Sequence, residues 1–178
     1  MLVMFMDRAL PLTRCTARAA RAARAAAQGF TLIELITVVS VLAIITAIAA
    51  PSFRSFIASQ RIKAASYDLT SALILARNEA LKRNGNVQVG RTGTSWNNGW
   101  QVKIVSSDAV LGMQNAVDNS LSFTGAPDRI VFDANGRVAS PTAAVRIQLA
   151  STTATSNAVR CVALTLSGHA RSSAGACS

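Results

Sequence analysis

The apolar positions of the chain first form one continuous block. Residues 30–50 are almost entirely apolar, contain neither glycine nor proline, and are followed directly by Pro51. As an α-helix, these 21 residues would cross a hydrocarbon core of roughly 30 Å. The pattern therefore predicts a transmembrane helix over residues 30–50, with one charged residue, Glu34, near its start.

Beyond Pro51 the apolar residues recur at steps of three and four, which is the period of one face of an α-helix. The positions concerned are Ile62, Ala65, Leu69, Leu73, Ala76 and Ala80. Pro51 should kink the helix because proline has no backbone donor, and Asn84-Gly85 is a typical C-terminal stop. The pattern predicts an amphipathic continuation of the helix over residues 51–84.

From residue 86 the period changes to two, which indicates β-strands. The alternating runs are residues 87–89, 101–105, 129–132, 144–149 and 161–166. Asn135-Gly136 predicts a hairpin, and residues 106–119 and 151–157 are predicted to be irregular connections. The predicted fold class is α+β: a long N-terminal helix packed on a small antiparallel β-sheet head, residues 85–178.

The positive charge is concentrated before the apolar block. Residues 1–29 contain five arginines and one aspartate, whereas residues 30–178 contain 13 Lys and Arg against 7 Asp and Glu, a net charge of +6 out of +10. An excess of arginine keeps a segment on the cytoplasmic side of a membrane. We expect a solvated cytoplasmic leader, with Met4 and Met6 as alternative starts to Met1.

The chain contains three cysteines. Cys15 lies in the leader, whereas Cys161 and Cys177 lie 16 residues apart near the C-terminus. If the C-terminal region is exported, a Cys161–Cys177 disulfide is expected, and it would be worth about 3 kcal/mol in the chain-entropy model. The alternative is two unrelated thiols.

Two kinds of processing would suit this N-terminus. A secretory signal would be cut after Ala49, following the small residues at its end. Against this, the apolar run is longer than the roughly 7–15 residues usual in signal peptides, and it contains Glu34. The second interpretation places the processing site before the apolar run.

The string GFTLIE at residues 29–34 resembles the prepilin peptidase site of type IV pilins and type II secretion pseudopilins. The resemblance implies that the leader, residues 1–29, is removed by cleavage after Gly29 and that the new N-terminal Phe30 is N-methylated. It also implies that Glu34 pairs with the amino group of a neighbouring subunit during filament assembly. A carboxylate in lipid is costly without a partner, so this pairing would explain Glu34.

Two motifs in the predicted head make the resemblance more specific. WNNGWQV at residues 96–102 and IVFDANGR at residues 130–137 resemble segments of FimT- and GspH-type proteins, and both tryptophans are expected to pack beside a turn. The implied protein is a minor pilin or pseudopilin, single-pass in the inner membrane, with a periplasmic head. Its implied partners are other pilins, the prepilin peptidase and an inner-membrane assembly platform; the alternative is an H-type pseudopilin that acts in protein export without binding DNA.

Gly168-His169-Ala170-Arg171 resembles the G-R-x-R motif of FimT proteins linked to DNA uptake, with His169 in place of the first arginine. Histidine is mostly uncharged at neutral pH, so one phosphate contact is weakened. Arg171, with Arg160 close by, would bind a DNA backbone without reading its sequence. The alternative is a solvated loop with an ordinary surface arginine.

The sequence supplies little for catalysis. It has one histidine, and it shows no metal-ligand cluster, phosphate-binding loop or nucleophile motif. We therefore expect a structural subunit without enzyme activity, cofactor or metal.

Overall fold

In a computed structural model, the described residues are 29–152 and 158–178. The predicted leader up to residue 28, with Cys15, and residues 153–157 of one predicted connection lie outside them. The chain divides into two compact units, Met1–Ala43 and Ile44–Ser178. The first unit, as far as it is described, is the beginning of a helix, and the second contains the β-strands.

One α-helix, α1, covers Leu32–Arg83 and continues across Pro51. It ends as the sequence predicts. Asn84 has a left-handed backbone, with φ of 48°, and Gly85 N donates to Ala80 O at 3.1 Å while Asn84 N donates to Leu81 O at 3.4 Å. This pair of bonds is the Schellman arrangement, which satisfies carbonyl groups that the last helical turn leaves open.

Nine β-strands and a short 3₁₀ helix follow α1 in the described part of the chain. The strands are β1 Val87–Arg91, β2 Trp100–Ile104, β3 Val110–Gln114, β4 Leu121–Thr124, β5 Arg129–Phe132, β6 Val138–Ser140, β7 Val145–Ser151, β8 Val159–Leu164 and β9 Ala170–Ala174. The 3₁₀ helix, Trp96–Asn98, lies between β1 and β2.

The strands form two antiparallel sheets, so the predicted antiparallel head is confirmed but is not a single sheet. The first sheet has the order β3-β2-β1-β5-β6, and the second has the order β4-β7-β8-β9. The predicted hairpin is β5–β6, with Val138 opposite Phe132. Gly136 N closes its turn by donating to Asp133 O at 2.9 Å.

Three strands lie where the apolar pattern predicts none. Strand β3 lies inside residues 106–119, where an irregular loop was expected, so that prediction was wrong. Strand β4 has only four residues, and β9 has the polar sequence ARSSA. All three are edge strands. An edge strand has less apolar surface to bury than a central one, which weakens the alternating pattern of β3 and β9. Leu121 and Phe123 of β4 do alternate with polar residues, but over only four positions.

The core of the second unit lies between α1 and the inner faces of both sheets. All six apolar positions predicted for the helix stripe are at most 4% exposed. They meet strand residues that are equally buried, among them Val89, Ile130, Phe132 and Ile147. The stripe is therefore core packing, and its burial supplies the main driving force for fixing the sheets on the helix.

Candidate functional site

The start of α1 is built around Thr31. The Thr31 hydroxyl accepts a hydrogen bond from Glu34 N at 3.2 Å, and Thr31 O accepts one from Leu35 N at 3.1 Å. Thr31 is thus the N-cap, which satisfies a backbone donor that the first helical turn leaves without a partner. Gly29 and Phe30 precede the helix, and the Phe30 side chain is 81% exposed.

Glu34 occupies the third position of the first helical turn and is exposed. An acidic residue there interacts favourably with the positive end of the helix dipole. Thr31 and Glu34 also have the T-x-x-E spacing of a capping box, a local signal for a helix start that apolar periodicity does not detect. Glu34 therefore has a local role in starting the helix, whatever it binds in an assembly.

The large apolar side chains that follow are exposed. From Leu32 to Ile48 every leucine, isoleucine and valine is at least 51% exposed. By length and composition, α1 is able to cross a membrane. An apolar surface of this extent needs a lipid or protein environment in place of water.

The turn between β8 and β9 begins the second candidate site, the segment Gly168-His169-Ala170-Arg171 that was predicted to contact DNA. Thr165 N donates to His169 O at 3.0 Å, and Gly168 N donates to Thr165 O at 2.9 Å. Gly168 has a left-handed backbone, with φ of 82°. His169 in this turn and Arg171, the second residue of β9, are both exposed.

Gly168 also lies against a second turn. A Cβ at Gly168 would lie 2.1 Å from Gly136 O and 3.0 Å from Arg77 Nε. Val138 N in addition donates to Leu166 O at 3.0 Å. The β5–β6 hairpin and the β8–β9 turn, which belong to different sheets, are thereby held together, and only glycine fits at residue 168.

The structure does not bring Arg160 and Arg171 together. Side chains alternate between the two faces of a strand, and directly paired residues share a face. Arg171 lies opposite Ala163 of β8, so these two residues share one face. Arg160 is two residues from Val162 and therefore shares the other face, on which Val162 is buried. The two arginines therefore point to opposite faces of the sheet.

Arg160 instead packs against the helix. Its Cζ atom lies 5.1 Å from the ring centroid of Tyr67, a cation–π geometry. Its Nε and Nη2 atoms donate to the Ser172 hydroxyl at 3.3 and 3.2 Å, and this hydroxyl bonds to Ser66 at 3.1 Å. The expectation that Arg160 lies close to Arg171 was wrong, because the sequence alone did not show which residues of β8 face the helix.

Cys161 and Cys177 form a disulfide, with 5.0 Å between their Cα atoms. Cys161 is 5% exposed, and Cys177 N donates to the side-chain oxygen of Gln148 at 3.3 Å. The bond attaches the C-terminal residues to the second sheet.

The two tryptophans belong to the core. Trp96 is 5% and Trp100 is 1% exposed, and their ring centroids lie 6.2 Å apart. Trp96 Nε1 donates to Pro127 O at 3.0 Å. Both buried rings therefore act in packing, and the Trp96 N–H has the hydrogen-bond partner that a buried indole needs.

Two carboxyl groups of the second unit have a pKa below the ordinary value. Hydrogen bonds from Ser120 chiefly lower the pKa of Asp118, helped by the charge of Arg61, with which it forms an ion pair. The hydrogen bond from Arg83 chiefly lowers the pKa of Glu79. Asp118 links its loop to Arg61 of α1, whereas Glu79 pairs with Arg83 one turn further along the same helix. Neither carboxyl group was a predicted site residue.

The described residues, 29–152 and 158–178, contain no group of three or more histidine, cysteine, aspartate or glutamate side chains arranged to hold a metal ion. His169 is the single histidine of the chain.

An exposed apolar helix followed by a helix-backed antiparallel head is the architecture of a membrane-anchored filament subunit. The sequence profile of the family described as Type II transport protein GspH matches residues 65–168, and the prokaryotic N-terminal methylation motif matches residues 24–50. The chain belongs to the GspH family of pilins and pseudopilins, proteins that assemble into filaments with other pilins. These proteins are structural subunits and are not known as enzymes.

The fold agrees with this family. Two crystal structures of the type IV minor pilin FimU of Pseudomonas aeruginosa, in space groups P21 and P65, match with TM-scores of 0.55 and 0.52. Both are 19% identical in sequence; the matches cover 67% and 64% of this chain and 92% and 91% of FimU. At this identity the likeness shows the fold. Comparison with curated protein sequences gives no significant match.

Proposed function

We propose that the chain is a filament subunit of a type IV pilus or a type II secretion pseudopilus. Prepilin peptidase cleaves it after Gly29, and Phe30 becomes the N-methylated first residue. Residues 30–50 span the inner membrane, residues 51–84 continue the helix, and residues 85–178 form a periplasmic head. The removed leader lies on the cytoplasmic side, and the assembly platform of the inner membrane receives the processed subunit.

The single observation that carries this proposal is the start of α1. Cleavage after Gly29 would leave a free amine on Phe30, and Glu34 follows it by about one helical turn. Glu34 is exposed, and the apolar side chains around it are exposed as well. In an apolar filament core, a carboxylate needs a cation, and the amine of the adjacent subunit supplies one.

Replacing Glu34 tests this pairing. Glu34→Gln keeps the side chain that a capping box requires and removes only the charge, whereas Glu34→Ala removes both. Both variants should insert into the membrane and lose incorporation into filaments by about tenfold or more, because an unpaired amine remains in lipid. Val38→Ala, an exposed apolar position four residues on, is the control. Normal incorporation of the glutamine variant would refute the pairing.

A second candidate function is DNA binding by the head. The observation that favours it is the exposure of His169 in the β8–β9 turn and of Arg171 in β9, beside the close approach of Gly168 to Gly136. Phosphate contacts from such residues would be independent of sequence and sensitive to salt. Arg160 is not part of this candidate site, because Tyr67 and Ser172 hold it on the other face.

A gel-shift assay of the purified full chain in neutral detergent, across a salt series, tests the second function. Binding should weaken steeply as salt rises. Absence of binding even at low salt would remove DNA binding and leave an H-type pseudopilin that acts in protein export. The filament proposal would stand in either case.

A further inference from the structure

The outer face of the second sheet presents two arginines in one row. Val145, Ile147 and Leu149 of β7 are buried, so Arg146 points to the outer face. The register pairs Arg146 with Ala163 of β8, and Ala163 with Arg171 of β9. Arg146, Ala163 and Arg171 therefore lie side by side on the same face.

The spacing of this row follows from the sheet. Adjacent strands lie about 4.8 Å apart, so the backbones at Arg146 and Arg171 are separated by about 10 Å. Ala163 between them has a short side chain and leaves the surface open. Both arginines are exposed, and the disulfide lies one row further along, beside Gln148 and Ser173.

The four strands of the second sheet offer the two arginines no negative charge. Strands β4, β7, β8 and β9 contain no aspartate or glutamate. Three other arginines of the second unit form ion pairs: Arg61 with Asp118, Arg83 with Glu79, and Arg91 with Asp128. Among the described residues, neither Arg146 nor Arg171 has an ion-pair partner.

We propose that Arg146 and Arg171 together bind the phosphate backbone of DNA. Arg146 supplies, from a different strand, a second guanidinium group near Arg171, where the turn itself has a histidine. Each guanidinium group is able to donate two hydrogen bonds to one phosphate, and the sheet places the two arginines side by side on one face, which suits a repeating anion. This inference rests on the proposed DNA binding and adds to it a residue that no motif in the sequence marks.

The experiment measures DNA affinity across a salt series for the full chain in neutral detergent, with a duplex of about 30 bp as probe. Arg146→Gln and Arg171→Gln should each weaken binding by about tenfold at low salt. Each should also reduce the slope of log affinity against log salt by about 0.9, the value for one lost phosphate contact. Arg129→Gln, which removes an exposed arginine of the first sheet, is the matched control and should change neither.

The possible outcomes distinguish failure of the Arg146–Arg171 inference from failure of the proposed DNA binding. If Arg171→Gln weakens binding and Arg146→Gln does not, DNA binding stands and the arginine row is overturned. If Arg129→Gln weakens binding equally, the net positive charge of the head and not the pair Arg146 and Arg171 causes binding, and the inference is overturned. Poly-glutamate that competes as well as DNA would identify an acidic protein as the partner and overturn it too. If the unaltered chain binds no DNA at low salt, DNA binding itself fails.

Discussion

Arg77 of α1 donates a hydrogen bond from its Nε atom to the carbonyl oxygen of Gly136, at 3.1 Å. Gly168 of the β8–β9 turn lies against the same carbonyl. The last part of the helix and one turn from each sheet therefore meet at one point. The turn that presents His169 is supported by this contact as well as by its own hydrogen bonds.

Two glycine substitutions measure how much the close contact between Gly168 and Gly136 contributes to the free energy of unfolding. Gly168 and Gly175 both have positive φ, 82° and 93°, but a Cβ at Gly175 would have no neighbour within 4 Å. Gly175→Ala should lower the free energy of unfolding by about 1–2 kcal/mol, from backbone strain alone. Gly168→Ala should cost about 3 kcal/mol or more, because its Cβ also collides with backbone.

Urea denaturation followed by the fluorescence of Trp96 and Trp100 measures both effects, because the two rings are buried in the head. Equal losses for the two alanine variants would show that the contact between Gly168 and Gly136 does not constrain the turn.

The helix stripe gives a prediction about the core. Leu73 is 0% exposed, whereas its neighbour Ile74 is 45% exposed. Leu73→Ala should lower the free energy of unfolding by about 2–5 kcal/mol, through lost burial and the cavity that remains. Ile74→Ala, which removes an apolar side chain of similar size, should cost less than about 1 kcal/mol. If the exposed position costs as much as the buried one in the same assay, the assigned face of α1 is wrong.

The stripe was predictable because every third or fourth residue must be apolar to cover two sheets. The face of β8 that packs on the helix was not predictable, because both of its faces carry apolar or small residues. These are Val162 and Leu164 on one face and Cys161 and Ala163 on the other. Only the pairing with β9 and the helix fixes which face is buried. The row formed by Arg146 and Arg171 was likewise invisible, since strand register depends on contacts distant in sequence.

Strand β9 illustrates a second limit. Its sequence ARSSA lacks the alternating apolar residues of a typical strand. Ser172 meets Ser66 of the helix through a hydrogen bond, so the inward contact of this strand is polar. A pattern based on apolar residues cannot detect such a contact, whereas the Asn-Gly turn of the β5–β6 hairpin is a local signal and was found.

Asp118 gives a prediction about pH. Hydrogen bonds from Ser120, and the charge of Arg61, hold the pKa of this carboxyl below its usual value of about 3.9. The folded state thus favours the carboxylate, so its contribution to stability is present above about pH 3.9 and is lost as the pH falls further towards the lowered pKa. The difference in unfolding free energy between the unaltered chain and Asp118→Asn should shrink as the pH falls from about 5 to about 2.5.

Arg61→Gln provides the comparison for this titration. Ser120 contributes more than Arg61 to lowering the pKa, so this variant should retain part of the pH dependence. A difference between the unaltered chain and Asp118→Asn that stays constant over the whole range would contradict the assignment.

The disulfide gives a prediction about the C-terminal residues. Cys177→Ser should lower the free energy of unfolding by about 2–4 kcal/mol, because the 16-residue separation closes a loop that restricts the unfolded chain. The double variant Cys161→Ser/Cys177→Ser should lose a similar amount, since one bond is lost in both. Alkylation of the unreduced, unfolded chain followed by mass spectrometry checks the bond itself; modification of both Cys161 and Cys177 would show that it does not form.

The mass and N-terminal sequence of the mature chain recovered from membranes test the central claim most directly. A filament subunit anchored by α1 should begin at Phe30, carry one N-methyl group and retain Glu34 with the apolar residues that follow. A mature chain that begins at Ala50 and has lost the apolar segment would contradict the account, because no anchor and no assembly charge would remain.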